Sequence, residues 1–117
     1  MAAPNIVEVS TITAKTAVQA IGTSATAIVS NSASSGKVFK INALYISNVD
    51  GTNNAEINVD FYRSSTAYHI AKTIVVPADA TLDVISKPVY LEEGDSLRLT
   101  ANAASDLEAV CSYEELS

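Results

Sequence analysis

Pro88-Val89-Tyr90-Leu91-Glu92-Glu93-Gly94-Asp95-Ser96-Leu97-Arg98-Leu99-Thr100 is the stretch whose reading decides the fold. Val89 and Leu91 alternate with polar or amphipathic neighbours, a polar turn follows, and Leu97 and Leu99 resume the alternation, which is the pattern of strand, tight turn, strand. The stretch therefore reads as a β-hairpin with one apolar face. Gly94 takes the positive φ that a short hairpin loop needs, and Glu92, Glu93 and Asp95 keep the turn in water. Nothing in it resembles a reaction centre.

The same signals recur upstream. Ala55-Glu56-Ile57-Asn58-Val59-Asp60-Phe61-Tyr62 alternates cleanly, with Ile57, Val59 and Phe61 inward. Before it, Val38 to Ser47 is the longest β signal. Its apolar residues favour odd positions first and both faces later, which predicts a central strand or a bulge that swaps faces. Asp50-Gly51 between these two segments is a hairpin-turn signal. Arg63 to Thr66 turns the chain into Ala67–Val76, where Tyr68, Ile70 and Ile74 share a face, and Pro77 ends that strand because it has no N–H for a ladder. Thr81–Ile85 and Leu107–Tyr113 are further strands. Nearer the N-terminus, Ile6 to Thr13 is rich in β-branched residues and reads as a first strand or an extended arm. Ala17–Ile21 fits a strand or a short helical turn, Ala25–Val29 is a short strand, and the small polar loop Ser30 to Gly36 lies on the surface.

About eight short strands at spacings of roughly eight to twelve residues, with turn residues between them, predict an all-β fold, an antiparallel β-sandwich or jelly roll. At 117 residues the chain is one domain. Within it, residues 1–35 read as an N-terminal arm with the first short strands, docking on a neighbour, and residues 36–117 as the sandwich core.

Composition narrows the function. The apolar share of 48% comes mostly from Ala, Val, Ile and Leu, with two Phe, five Tyr and no Trp. Such side chains suit a thin sandwich interior better than a wide pocket. Net charge is −6, and the basic residues Lys15, Lys37, Lys40, Arg63, Lys72, Lys87 and Arg98 do not cluster. Direct binding to nucleic acid or to an anionic membrane is disfavoured, since phosphate neutralisation needs a local basic patch. The single Cys111 cannot form an internal disulfide. With no basic region at the N-terminus and no apolar run of membrane-spanning length, synthesis in the cytoplasm is expected.

Few residues of the sequence are suited to chemistry. His69 is the single imidazole, and no glycine-framed serine accompanies it, so no catalytic residue is assigned. One His and one Cys fall short of a zinc site, and no metal or other cofactor is assigned. Asn48, Asp50, Thr52, Asn54 and Glu56 present oxygens at every second position, as a calcium loop does, but a polar hairpin turn explains the same letters. Glu92, Glu93 and Asp95 are read the same way.

Three segments taken together resemble small virion structural proteins of tailed bacteriophages, notably those of marine and cyanobacterial phages: Ile46 to Val59, Val76-Pro77-Ala78-Asp79-Ala80-Thr81-Leu82 running into Tyr90 to Leu97, and Val110 to Ser117. The resemblance covers roughly residues 37 to 117. It implies a non-enzymatic, virion-located β-sandwich subunit, foremost a capsid decoration or cement protein. The implied partners are the major capsid protein or other virion proteins and further copies of itself, in a trimer or ring. Ile6, Val7, Val9 and Ile12 are the expected interface residues, reaching a neighbour by strand addition. The alternatives are a neck, collar or tail accessory protein, and an adhesive or carbohydrate-binding module in which Tyr45, Tyr62, Tyr68 and Tyr90 converge on a groove. An enzyme built on a jelly roll would need further polar residues converging on His69.

Overall fold

The computed structural model describes residues 5–117. They form nine strands: β1 (Ile12–Ala20), β2 (Thr26–Ser30), β3 (Val38–Asn48), β4 (Ala55–Arg63), β5 (Thr66–Val76), β6 (Thr81–Asp83), β7 (Val89–Leu91), β8 (Ser96–Ala101) and β9 (Leu107–Leu116). All pairings are antiparallel, in two sheets. One runs β1-β9-β3, with β6 and β7 both paired to the far side of β3; the other runs β2-β8-β4-β5. With β6 and β7 taken as two pieces of one broken edge strand, the chain winds between the sheets as an eight-stranded jelly roll, the expected all-β sandwich.

Strand alternation builds the core between the sheets. Ile57 and Val59 of β4, Leu97 and Leu99 of β8, and Leu107, Ala109 and Cys111 of β9 are buried on inward faces. Of the two readings of the long strand, a central strand or a bulge, β3 satisfies both: it lies between β9 and the β6/β7 edge, and the β3–β9 register shifts between Ile41 and Ala43. The bulge changes the parity, so that Phe39 and Ile41 on one side of it and Leu44 and Ile46 on the other all point inward. Each such Leu or Ile contributes about 1.5–3 kcal/mol by leaving water.

Two connections differ from the sequence reading. Pro88 to Thr100 is not a hairpin: β7 pairs with β3 and β8 with β2 and β4, so the two halves lie in opposite sheets and the turn between them is an arch. The Asp50-Gly51 connection likewise crosses from β3 in one sheet to β4 in the other. Alternation says that each strand has an apolar face, and both an arch and a hairpin satisfy that. What separates them is where the turn's polar groups go. Glu92, Glu93, Gly94 and Asp95 form the turn, with the Asp95 N–H on the Glu92 carbonyl at 3.1 Å and Gly94 at φ 88°. Asp95, expected in water, is instead buried.

Buried polar side chains pin these arches. Asn31 donates its amide to the carbonyls of Lys37 and Leu91, donates its N–H to Asp95 O and accepts the Gly94 N–H, tying the Ser30–Gly36 loop to the arch. Asn48 does the same work at the other crossing, donating to the carbonyls of Asn53 and Val76 and accepting the Asp50 N–H. A buried amide with all its bonds made holds one backbone path and disfavours others.

The β4–β5 connection is a true hairpin. Arg63 faces Thr66, and Ser64 and Ser65 stand at φ 51° and 60°, the geometry of a two-residue type I′ turn. In β5 the expected face of Tyr68, Ile70 and Ile74 is exposed, while Ala71 and Val76 are buried. β5 is the outermost strand of its sheet. Its register against β4 shifts twice around Val59, and Thr73 sits at φ 54° with its N–H on Asn58 Oδ1 at 2.6 Å.

The N-terminal region also differs. The chain makes a turn at Asn5–Glu8, closed by Glu8 N–H to Asn5 O and Val7 N–H to Asn5 Oδ1, and the first strand begins only at Ile12. The Asn5 side chain offers the backbone a local partner that competes with extension. β1 and β2 then join the two sheets, so residues 12–30 belong to the sandwich itself. The first four residues of the 1–35 span lie outside the described residues.

Candidate assembly surface

Of the four interface residues expected from sequence, Ile6, Val7 and Ile12 are exposed, Val7 at 87%, and Val9 is half-buried. Ile6 and Val7 occupy the tip of the Asn5–Glu8 turn. Ile12 opens β1, just beyond the point where Thr11 and Ser117 exchange both main-chain hydrogen bonds at 3.0 Å. The N-terminal segment is therefore tied to the end of β9 while Ile6, Val7 and Ile12 remain in solvent.

A second apolar group lies on the outer face of the β1-β9-β3 sheet, and the sequence reading did not assign it. The registers place Val18 of β1 opposite Val110 of β9, and Val110 opposite Tyr45 of β3. These three are 73%, 42% and 43% exposed. They form one row across three strands. Alternation alone marks each as outward-facing but does not align them, because the alignment depends on the β3 bulge. Val18, Ala20, Ala109 and Val110, with Gln19 and Glu108, also line a shallow hollow of about 330 Å³ at this end of the sheet.

Several charged side chains, by contrast, are engaged within the subunit. Arg63 grips Asp95 with two bonds, Nε to Oδ1 at 2.7 Å and Nη2 to Oδ2 at 2.6 Å, and also reaches Glu92. The bonds to Asp95 push the Arg63 guanidinium still further from deprotonation. Asp60, buried on the outer face of the other sheet, accepts Arg98 Nε at 2.9 Å, and the Arg98 guanidinium lies 3.8 Å from the centre of the Tyr62 ring. Glu115 bridges Lys15 and Lys37 at 3.0 and 3.1 Å. Burial pushes the Glu115 carboxyl up, the hydrogen bonds from the two lysines pull it down, and the net shift is downward.

The sequence's candidates for chemistry do not converge. His69 is exposed on β5, in register with Asp60, whose carboxylate Arg98 occupies. In the suspected calcium loop the Asp50 carboxylate accepts the N–H groups of Thr52 and Asn53 and the Asn53 amide. Those bonds hold it below the usual carboxylate range. Asn48 points its side chain into the fold. Among the described residues no three His, Cys, Asp or Glu are grouped to hold a metal ion. The tyrosines proposed for a sugar groove are split: Tyr45 and Tyr90 belong to one sheet, Tyr62 and Tyr68 to the other.

No family model and no curated protein matches the chain. Among solved structures it is similar to a protein of Bacillus endospore appendages, described as a family of disulfide-linked pili. The two are 18% identical, the alignment covers 92% of this chain and 88% of that one, and the TM-score is 0.53. Likeness at that identity shows the fold. The one cysteine of this sequence, Cys111, is buried in β9, and burial pushes its thiol up to about 11. It presents no thiol at the surface.

Proposed function

We propose that this protein is a structural subunit of a tailed-bacteriophage particle, a capsid decoration or cement protein that reinforces the shell through contacts between subunits. One contrast supports this reading above all. Arg63, Asp95, Asp60, Arg98, Lys15 and Glu115 are occupied in internal struts, whereas large apolar side chains are left in solvent at the N-terminal turn, along β1 and across the outer face of its sheet. Apolar groups gathered on a surface mark places where another protein sits. The subunit works by its surface: apolar burial and main-chain hydrogen bonds at strand edges supply the binding.

A second reading, a subunit of a fibrous appendage, is favoured by the shared fold with a pilus-forming protein. Imaging of purified native particles with a label on this chain tests both. Multiple copies spread over the head support the decoration reading, and copies stacked along a fibre or tail support the second. Recovery of the chain only as a free soluble protein, absent from every particle, refutes both.

A further inference from the structure

The sandwich has four edges, and three of them are unsuited to accepting another strand. β2 is five residues long and irregular between Ala27 and Val29. β5 carries two register shifts, Thr73 at positive φ and Lys72 in the middle of the strand. The β6/β7 edge is broken into two three-residue pieces, with Lys87 and Pro88 just before the second. Short strands, bulges, lysine and proline are the devices that block edge-to-edge pairing.

β1 has none of these devices except Lys15. It pairs with β9 over nine consecutive residues without a shift. Thr11 and Ser117 exchange both main-chain bonds, and Ile21 N–H donates to Leu107 O in the same register. Odd-numbered residues of β1 thus face β9, and Ile12, Ala14, Thr16, Val18 and Ala20 aim their N–H and C=O groups outward. All five are exposed.

We propose that β1 is a homotypic docking edge, pairing antiparallel with β1 of a second copy about a two-fold axis at Thr16, so that the two β1-β9-β3 sheets become one. The inference rests on the reading of the protein as an assembling subunit and names the partner. The edge is complementary to itself. Centring on Thr16 overlaps the full length of both strands and brings every outward-aimed backbone group to a partner: Thr16 to Thr16, Ala14 to Val18, Ile12 to Ala20. The strand's single charge, Lys15, falls opposite Ala17 and remains held on its own Glu115. A register centred one residue earlier would set the two Lys15 side chains against each other, which is unfavourable. The side chains complement each other as well. The exposed Ile12 of each copy arrives opposite Ala20 of the other, at the hollow lined by Val18, Ala20, Ala109 and Val110. The Tyr45–Val110–Val18 row then continues across the axis onto Ala14 of the second copy.

The test is engineered crosslinking together with sedimentation over a range of concentrations. In Thr16→Cys the paired residues are about 5.5 Å apart between Cα atoms, within disulfide range, so mild oxidation converts the protein to a covalent dimer. In Val18→Cys the two copies' residues are roughly 14 Å apart along the strands and stay unlinked. Thr16→Pro deletes an N–H that makes no bond among the described residues, and proline is tolerated at such an edge position. It abolishes dimerisation while the circular dichroism stays that of the wild type. Should the proline disturb folding, Thr16→Lys keeps the backbone intact and sets two ammonium groups at the axis, raising the dimer dissociation constant roughly tenfold or more. Crosslinking of Val18→Cys but not Thr16→Cys overturns the proposed pairing. Assembly that persists unchanged in both the proline and lysine variants overturns the docking edge and leaves the structural-subunit reading intact. A wild type that stays monomeric at every concentration and joins no particle overturns both.

Discussion

Replacing Asp95 by alanine tests the account of how the arch between β7 and β8 is held. Asp95 is 3% exposed and accepts three hydrogen bonds, two from Arg63 at 2.7 and 2.6 Å and one from the Glu92 N–H at 2.8 Å. Bonds to a charged group contribute about 1.5–3 kcal/mol each, and together they are not additive. Arg63 is 45% exposed and regains water once released, which discounts its share. The net cost of Asp95→Ala is therefore about 3 kcal/mol. At roughly 4 °C per kcal/mol for a domain of this size, the melting temperature falls by about 12 °C. Arg63→Ala costs at least as much, about 3–5 kcal/mol, because it strands a buried carboxylate with one main-chain donor. The double variant costs clearly less than the sum of the two, since the second removal relieves what the first left unpaired. Urea and thermal unfolding followed by circular dichroism measure all three. A cost for Asp95→Ala within about 0.5 kcal/mol of zero, the range of an ordinary surface change, or strict additivity in the double variant, refutes the strut.

Three further outcomes follow from the geometry. Glu115 has a folded-state pKa below its ordinary 4.5, so its pairing with Lys15 and Lys37 stabilises fully above that value and is lost as pH falls through the lower folded value. Glu115→Gln flattens that part of a stability-against-pH curve measured by denaturant titration. Cys111, with its thiol raised to about 11, resists a thiol reagent near neutral pH by roughly 100-fold or more relative to the urea-unfolded chain, and mass spectrometry of the adduct follows it. Changing Ser64-Ser65 to Asn-Gly places residues suited to positive φ in the type I′ turn and stabilises the domain by about 1 kcal/mol, read as a higher urea midpoint.

Local patterning was enough for the all-β class and for most of the strands, because burial of one face imprints a period of two on any strand, whatever its partner; it left a central strand and a bulge open for β3, and it divided β1 between Ile6–Thr13 and Ala17–Ile21. Ile6, Val7, Val9 and Ile12 were expected at an interface; Ile6, Val7 and Ile12 stand exposed and Val9 is half-buried. Their setting was not legible: the Asn5 turn replaces the extended arm, and β1 follows as part of the sandwich.

What only the tertiary structure decided is which strands share a sheet. Pro88 to Thr100 carries identical alternation whether its halves pair with each other or pack across the core. The choice falls to Asn31, Arg63 and Asp95, up to 64 positions apart in the chain, whose hydrogen bonds close only in the arch. The same holds for the exposed row of Val18, Val110 and Tyr45, since three outward residues on three strands become a surface only after register aligns them. Periodicity is a local consequence of solvent on one side. Pairing and register are settled by long-range hydrogen bonds, which no short window of sequence contains.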